Sequence, residues 1–417
     1  MPRMPRHFRY RFALALLLTT LASPLWAADW NQWRGPTRDG HAPFVAPATW
    51  PASPTRLWRV VVGEGHASPV VTGDRVFVFS RQGEAEVLRA ISLASGKVLW
   101  RADYPVPYQM NPAADAHGKG PKSTPVVAGG KVVTFGISGI LSCFEAETGK
   151  LVWRHDFSSL LGSAPEFFGT ASSPLVVGDT LYLNIGSDTQ GSFRAFELAT
   201  GATRWDTPGL KPAYASPMLF EIAGRQQLVT LTYDTIVGLD AAGGKVLWQY
   251  PYADRWRQNV PTPLQVGELL FFGNVDNGSF GAKVAPKGGA FELEEVWKDA
   301  DTPWYMTTPV SDGARIYALT SKQKGQLLVV KPASGEIVWK SPGRQAENAS
   351  LALAGELLLM VDTDGELTVW KAGDAPQLLQ TYSIADSPVW AQAAWTEDRL
   401  VVKDREGVTA YAFAPVK

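Results

Sequence analysis

Seven of the sixteen tryptophans in this chain of 417 residues recur at one position of a repeat, and this recurrence constrains the fold more than any other feature. Successive members of the series are 42 to 53 residues apart, a period typical of β-propeller blades with four short strands. Five members follow a glycine by four residues, in segments such as GKVLW and GEIVW, whereas Trp58 and Trp297 lack the glycine. The five are Trp100, Trp153, Trp205, Trp248 and Trp339.

A second signature precedes each tryptophan of the series from Trp100 onward: a small hydroxyl residue, usually followed by proline, and then an apolar run with a turn. Proline is tolerated at the start of a strand because its missing N–H group costs little there. Helices are excluded, because glycine or proline interrupts every window before ten residues. Eight starts predict eight blades: Ser68-Pro69, Thr124-Pro125, Ser173-Pro174, Ser216-Pro217, Thr262-Pro263, Thr308-Pro309, Ser350-Leu351 and Ser387-Pro388.

The two signatures do not pair one to one, because Trp58 comes before the first start. We expect blade seven to end without a tryptophan, at Leu378-Leu379, and the last segment, 387–413, to supply only three strands. A strand around 57–62 then completes the last blade and removes its open edge. The sequence therefore predicts an all-β fold, an eight-bladed β-propeller of four-stranded antiparallel blades over residues 54–417, with the last blade closed by the N-terminal strand.

The N-terminus predicts export from the cytoplasm. Four arginines, an apolar run and small residues ending at Ala27 have the order of a signal peptide, which we assign to residues 1–27. The protein is then periplasmic or secreted, and without a cysteine near the cleavage site it lacks a lipid anchor. Residues 28–53 form an N-terminal leader. We expect trimming of 28–45 to leave cooperative unfolding intact, whereas loss of 54–62 abolishes it.

Composition excludes several classes of protein. A formal net charge of −1 argues against a nucleic-acid partner, and no apolar run is long enough for a transmembrane segment. Cys143 is the single cysteine, so no intramolecular disulfide can form. The histidines show no paired spacing for a metal, so we predict no metal site. We also expect a monomer.

The repeat resembles the pyrroloquinoline-quinone (PQQ)-like propeller repeat, as in Leu-Ala-Ser-Gly-Lys-Val-Leu-Trp at 93–100, and this likeness extends over the mature chain from Trp58 to Tyr411. The leader Trp-Asn-Gln-Trp-Arg-Gly-Pro at 30–36 also looks like the start of secreted members. The resemblance implies that the repeat tryptophans pack between blades. It marks the fold and leaves the function open, since one propeller frame hosts many functions.

Two branches of the family give two hypotheses. In the quinoprotein dehydrogenases the quinone stacks on an aromatic ring over calcium, and an Asp is the base. This chain lacks adjacent cysteines and a C-x-x-C-H haem motif. The scaffold branch is typified by the lipoprotein propeller of the outer-membrane assembly machine. We favour a binding or scaffold module for a protein partner or small polar ligand; the alternative is a PQQ- and calcium-dependent sugar or alcohol dehydrogenase.

Candidate site residues come from the geometry of a propeller, in which the residues before each innermost strand converge at one mouth of the channel. The residue two places before each hydroxyl gives a chemically mixed ring, and neighbouring positions add further polar groups. The loops at 101–122 and 251–259 should stand over the same mouth. The residues predicted to bind a ligand or cofactor are His66, Lys122, Tyr214, Asn259, Tyr305, Asn348 and Asp386.

Overall fold

A computed structural model describes residues 29–161, 167–322 and 325–414. The predicted signal peptide lies outside the described residues. The strands form eight four-stranded antiparallel sheets, which confirms the all-β, eight-bladed propeller. Helical turns are short 3₁₀ segments such as Pro112–His117 and Ser158–Leu160. No helix among the described residues has the length and apolar character to cross a membrane.

The strands follow the predicted order, with one N-terminal strand and then four strands for each blade. The N-terminal strand is β1 (Thr55–Val61). Blades one to four contain β2 (Val70–Thr72), β3 (Arg75–Gln82), β4 (Ala85–Ser92), β5 (Val98–Pro105); β6 (Val126–Ala128), β7 (Lys131–Phe135), β8 (Ile140–Glu145), β9 (Leu151–Asp156); β10 (Leu175–Val177), β11 (Thr180–Gly186), β12 (Gly191–Glu197), β13 (Thr203–Pro208); and β14 (Met218–Ile222), β15 (Arg225–Leu231), β16 (Thr235–Asp240), β17 (Val246–Pro251).

The remaining blades continue this pattern until the last, which has three strands of its own. Blades five to eight contain β18 (Leu264–Val266), β19 (Leu269–Asn274), β20 (Gly278–Lys287), β21 (Ala290–Asp299); β22 (Val310–Ser311), β23 (Ile316–Thr320), β24 (Gln326–Val330), β25 (Ile337–Lys340); β26 (Ala349–Ala354), β27 (Leu357–Asp362), β28 (Glu366–Lys371), β29 (Gln377–Ser383); and β30 (Ala394–Trp395), β31 (Arg399–Lys403), β32 (Gly407–Ala412).

Blade eight is closed by β1, as predicted. This strand pairs antiparallel with β32, with Thr55 opposite Ala412 and Trp58 opposite Ala410. The indole N–H of Trp58 then donates to the carbonyl of Leu93 in blade one, at 2.9 Å. Pairing covers the edge of β32, which would otherwise expose unpaired backbone groups.

The Gly-x-x-x-Trp motif is explained by contacts between blades. Each motif glycine packs on the tryptophan of the preceding blade: a Cβ atom on Gly149 would lie 2.5 Å from the indole of Trp100, and its φ is +72°. A side chain at this position would clash with the ring, and the backbone conformation favours glycine. Packing between blades is thus confirmed for the pairs Trp58–Gly96, Trp100–Gly149, Trp153–Gly201, Trp205–Gly244 and Trp297–Gly335.

Two blades depart from this arrangement. Blade five has Leu293 where the glycine would be, and Trp248 of blade four instead donates its indole N–H to Gln227 of its own blade, at 2.7 Å. In blade seven the prediction that Leu378-Leu379 ends the blade is wrong in register. The residue opposite the bulge, where tryptophan lies in other blades, is Gln380. The pairing register of β28 and β29 determines which residue lies opposite the bulge, and sequence spacing alone does not give this register.

The start of blade eight is also corrected. The hydroxyl residues at five of the other seven starts accept hydrogen bonds from backbone N–H groups of neighbouring blades, as Ser173 Oγ does from Thr124 N at 3.0 Å. In blade eight the turn after β30 places Gln392 at this position, and its N–H donates to Ser68 Oγ at 2.8 Å. The predicted start, Ser387-Pro388, therefore lies outside this ring, because distance from the hairpin turn sets the start.

Candidate functional site

An axial cavity of about 150 Å³ lies where the inner strands of all eight blades begin. Each blade contributes the residue two places before its start, as the repeat predicts for seven of them. A start at Ser387 would place Ala385 in the ring of the eighth blade, but the start is at Gln392 and Trp390 takes this position. The ring consists of His66, Lys122, Ala171, Tyr214, Val260, Met306, Asn348 and Trp390.

The N-terminal leader forms part of the cavity wall and crosses the propeller axis. Trp33 lines the cavity and donates its indole N–H to Thr262 Oγ1 in blade five, at 3.2 Å. On the other side of the ring, Asn31 donates its side-chain N–H to the carbonyl of Val127 in blade two, at 2.9 Å. Contacts on both sides of the axis hold the Trp33 indole across the channel.

Two buried arginines fix the leader in the channel. Arg34 donates to the carbonyls of Thr308 and Pro309 in blade six, at 3.0 and 2.7 Å. Arg38 donates to the carbonyls of Ser173 and Pro174 in blade three, at 3.2 and 3.0 Å. Burial lowers the pKa of Arg34 to about 10 and that of Arg38 to about 9, so both stay charged at neutral pH. The leader is thus anchored by charged donors on strand-start carbonyls.

The loop after β5 covers one side of the cavity. Its 3₁₀ turn, Pro112–His117, begins with Asn111, whose side chain accepts a hydrogen bond from Ala113 N at 3.0 Å. The carbonyl of His117 accepts a hydrogen bond from His66 Nε2 at 2.9 Å, which fixes the proton of that ring on Nε2. The ring of His117 packs edge-on against Trp390, with centroids 5.2 Å apart. An aromatic and imidazole wall results.

The charged side chain on the described lining of the cavity is that of Lys122. Lys122 Nζ donates to the carbonyls of Gly118 and Gly120, at 3.1 and 3.4 Å, and burial lowers the pKa of this lysine to about 8. Burial, together with the Lys122 charge, also lowers the pKa of His66 and of His117, which keeps both rings neutral at pH 7. No aspartate or glutamate lines the cavity in the described part of the chain.

Two carboxamide side chains at the cavity lack hydrogen-bond partners. Gln392 is only 8% exposed and lines the cavity, yet only its backbone N–H is hydrogen-bonded, to Ser68 Oγ, among the residues that the structure describes. Asn348 is half-buried, and its side chain likewise has no partner among them. Because no side-chain or backbone group of the described residues pairs with them, these amides are available to a ligand.

The predicted site residues separate into two groups. His66, Lys122, Tyr214 and Asn348 lie together around the cavity, whereas the other three are not among its lining residues. In this second group, Asp386 is exposed, because the register of blade eight displaces it from the ring.

Asn259 and Tyr305 have partners elsewhere in the fold. The Asn259 side chain is fully buried and donates to the carbonyls of Thr232 and Tyr252, both at 2.9 Å. The Tyr305 hydroxyl donates to Gln258 Oε1 at 2.9 Å. These contacts join loops near the mouth and leave neither group to the cavity.

Sequence reasoning missed Trp33, Phe168, Trp390 and Gln392. Counting back from the turn after β30 would have found Trp390 and Gln392. Trp33 carried no such signal, because a leader outside the repeat has no aligned position.

Comparison with known proteins gives the family. A PQQ-repeat family model described as outer membrane protein assembly factor BamB matches residues 83–341 and, in a second match, 289–414. The chain belongs to this PQQ-repeat family. Its repeat, its propeller and its relatives all agree with the resemblance seen in the sequence.

Relatives come from both branches of the family. Outer membrane protein assembly factor BamB of Yersinia pestis is 27% identical over 56% of this chain and 57% of its own length. Quinohemoprotein alcohol dehydrogenase ADH IIB of Pseudomonas putida is 25% identical over 63% of this chain and 38% of its own length. The chain therefore spans less than two thirds of either relative.

Solved structures agree on the fold. BamB from Moraxella catarrhalis matches with a TM-score of 0.63 and 15% identity, covering 88% of this chain and 99% of that one. Quinohemoprotein alcohol dehydrogenase from Comamonas testosteroni matches with a TM-score of 0.68 and 13% identity, covering 94% and 81%. The similarity of this propeller to both types leaves the choice between scaffold and dehydrogenase to the site.

The cavity residues do not fit the calcium and carboxylate base of a quinoprotein dehydrogenase. Calcium takes six to eight oxygen ligands, usually with carboxylates among them. The described lining of the cavity contains no carboxylate. No group of three or more His, Cys, Asp or Glu residues is arranged for a metal in the described ranges. The aromatic wall alone matches what a quinone needs.

Proposed function

We propose that this propeller is an extracytoplasmic binding module that holds a small carboxylate ligand in the axial cavity. The observation that carries this proposal is the combination of Lys122, the unpartnered amides of Gln392 and Asn348, and a lining without carboxylates. A negatively charged ligand supplies an acceptor for the two amides and for the N–H of Lys122 that the carbonyls of Gly118 and Gly120 do not use, and burial strengthens each such interaction.

The aromatic wall selects the body of the ligand. Trp33 and Trp390 lie on the lining together with Phe168 and Tyr214, and Phe168 packs edge-on against Tyr214 with centroids 5.3 Å apart. Aromatic side chains stack favourably on flat ligands and bury a large apolar area. An aromatic carboxylate therefore satisfies both the wall and the donors.

The test is calorimetric titration with benzoate. We expect the Lys122→Ala variant to bind benzoate at least tenfold more weakly than the unchanged protein. Lys119→Ala is the matched control, because Lys119 lies on the same loop but outside the cavity lining, is partly exposed and contacts Glu84 at 3.9 Å. Equal affinity in all three proteins, or no benzoate binding at all, contradicts the proposal.

The dehydrogenase alternative has its own test. Purified protein mixed with the quinone and calcium should show no dye reduction with alcohols or sugars, because the cavity lining lacks the carboxylates for calcium and for the base. Dye reduction that depends on both additions would favour the enzyme over the binding module.

A protein partner is the second candidate function. Outer strands of three blades expose adjacent apolar residues, such as Leu378, which is 52% exposed on β29. Photo-crosslinking from position 378 in living cells tests this surface, with position 340 on the outer strand β25 as control. A discrete adduct from 378 alone supports docking, and equal labelling from both positions counts against it.

A further inference from the structure

One position of the second strand separates blade three from most other blades. The fifth residue after the first hairpin turn is apolar or glycine in six blades: Phe79, Phe135, Val229, Gly273, Leu319 and Val361. Blade three has Asn184 at this position and blade eight has Lys403. Lys403 donates to three carbonyls, those of Gly63, Gly65 and Asp404, so its charge is satisfied.

Asn184, in contrast, has no partner for its side chain. The residue is 1% exposed, and neither its Nδ2 nor its Oδ1 makes a hydrogen bond within the described residues. Ser172, 3% exposed, also has an unpartnered hydroxyl. Burying an unpaired amide destabilises a fold, and the leucine or phenylalanine of other blades would avoid this loss. An unpaired amide at a core position points to a group that the chain itself does not supply.

Asn184 and Ser172 line the same small pocket, which adjoins the axial cavity. Its volume is about 30 Å³, and Ala171 and Tyr214 line both this side pocket and the axial cavity. Arg257 also lines the side pocket, with φ at +58°. Each water needs roughly 10 to 15 Å³ of such free volume, so the side pocket holds about two waters or a planar group of three heavy atoms.

The chemistry of the unpaired atoms selects the group. Asn184 Oδ1 needs a donor, and Asn184 Nδ2 needs an acceptor. A carboxylate accepts only, and leaves Oδ1 unpaired. A carboxamide carries a carbonyl oxygen and an N–H in one plane, so it matches both atoms at once, and the Ser172 hydroxyl offers a further contact.

We propose that the side pocket is a carboxamide subsite, in which Asn184 and Ser172 bind the amide group of a ligand whose body lies in the axial cavity. This inference rests on the proposed function, since it names a second chemical group of the same ligand. The ligand then carries a carboxamide in addition to its aromatic body and its carboxylate.

The test compares benzamide with benzoate and benzyl alcohol, by calorimetry and by ligand-observed NMR. We expect the Asn184→Leu and Ser172→Ala variants to weaken benzamide binding, by at least fivefold for Asn184→Leu, and to change benzoate affinity by less than twofold. Lys122→Ala is expected to weaken benzoate more than benzamide. Unchanged benzamide binding in both side-pocket variants overturns the subsite, even where benzoate binding supports the cavity itself.

Two further outcomes keep the subsite separate from a structural role. Asn184→Leu should raise the melting temperature, because leucine is the residue of blade six at this position and removes an unpaired amide. A lower melting temperature would make the amide structural and overturn the subsite. If benzamide binds the unchanged protein no more tightly than benzyl alcohol does, the side pocket holds water only and the subsite is likewise overturned. Loss of all three probes would refute the proposed function as well.

Discussion

The outer contacts between blades and the inner ring around the axis use the same repeat in opposite ways. Between blades, five glycines each pack on the tryptophan of the preceding blade, with little variation. Around the axis, the eight equivalent residues include a lysine, a histidine, a tyrosine, an asparagine and a tryptophan. The repeated contact requires one geometry, whereas the ring only requires that the backbone arrive at the cavity. Uniform packing outside thus permits chemical variety inside.

Removing the closing strand should have the largest effect on this comparison. Deletion of 54–62 takes away β1 and Trp58, and so exposes the edge of β32 and the blade-one glycine, Gly96. We expect the cooperative thermal transition to be lost. Calorimetry and near-UV circular dichroism measure this transition. Deletion of 287–290, an exposed hairpin turn in blade five, is the control. A cooperative transition in the first variant would show that blade eight does not need β1.

Substitution at a motif glycine should come next. Gly149→Ala places a Cβ 2.5 Å from Trp100 at a φ of +72°, whereas Gly178→Ala, at +60°, meets no atom within 4 Å. We expect Gly178→Ala to lower the free energy of unfolding by about 1 to 2 kcal/mol from backbone strain alone. Gly149→Ala should lose roughly 1 to 3 kcal/mol more from overpacking. Denaturant unfolding measures both, and equal losses would contradict the role of the tryptophan contact.

The leader tests whether the inner region is stabilised by the repeat or by something outside it. Arg38→Ala leaves the carbonyls of Ser173 and Pro174 unpaired, and hydrogen bonds from charged donors contribute about 1.5 to 3 kcal/mol each. We expect a loss of roughly 3 kcal/mol in the free energy of unfolding, against less than 0.5 kcal/mol for the exposed Arg56→Ala. A small effect of Arg38→Ala would mean that Arg38 does not anchor the leader.

The same contacts revise our expectation for trimming the leader. Removal of 28–45 was expected to leave cooperative unfolding intact, but this segment includes Trp33, Arg34 and Arg38 in the channel. We now expect the trimmed protein to melt at a lower temperature and to lose benzoate binding, because Trp33 lines the cavity.

The sequence predicted the outer region well and the inner region only in part, for a physical reason. Glycine and tryptophan contacts demand fixed spacing, so the spacing reveals blades, strand order and closure by β1. Around the axis, the residue type is free and only the register identifies the position. Ser387-Pro388 has the hydroxyl-proline pattern of a start, but the pairing of β30 with β31 places the start of blade eight at Gln392.

The leader and the side pocket were beyond the reach of the repeat. Trp33 reaches the cavity from a segment with no aligned counterpart, through contacts far apart in the sequence. Asn184 is conspicuous only when the second strands are aligned by their turns, and its missing hydrogen bonds appear only in three dimensions. Both belong to tertiary packing, which spacing does not encode.

The smallest expected effect is a pH dependence of ligand affinity, and it separates the charge of the inner ring from its shape. Burial lowers the pKa of Lys122 to about 8, below its unfolded value of roughly 10.4, so the ammonium is lost as pH rises through 8. Because an anion favours the charged lysine, benzoate affinity should fall about tenfold between pH 7 and 9, as the charged fraction falls.

Stability without ligand should change in the opposite direction. Between about pH 8 and 10.4 the unfolded chain holds the Lys122 proton and the folded chain does not. The free energy of unfolding therefore rises with pH over this range, because the destabilisation from the buried ammonium, which is complete below pH 8, is lost. Lys122→Arg keeps its charge throughout this range and should hold benzoate equally well at pH 7 and pH 9. If the arginine variant loses affinity in parallel with the unchanged protein, another group titrates and Lys122 does not provide the charge to which benzoate binds.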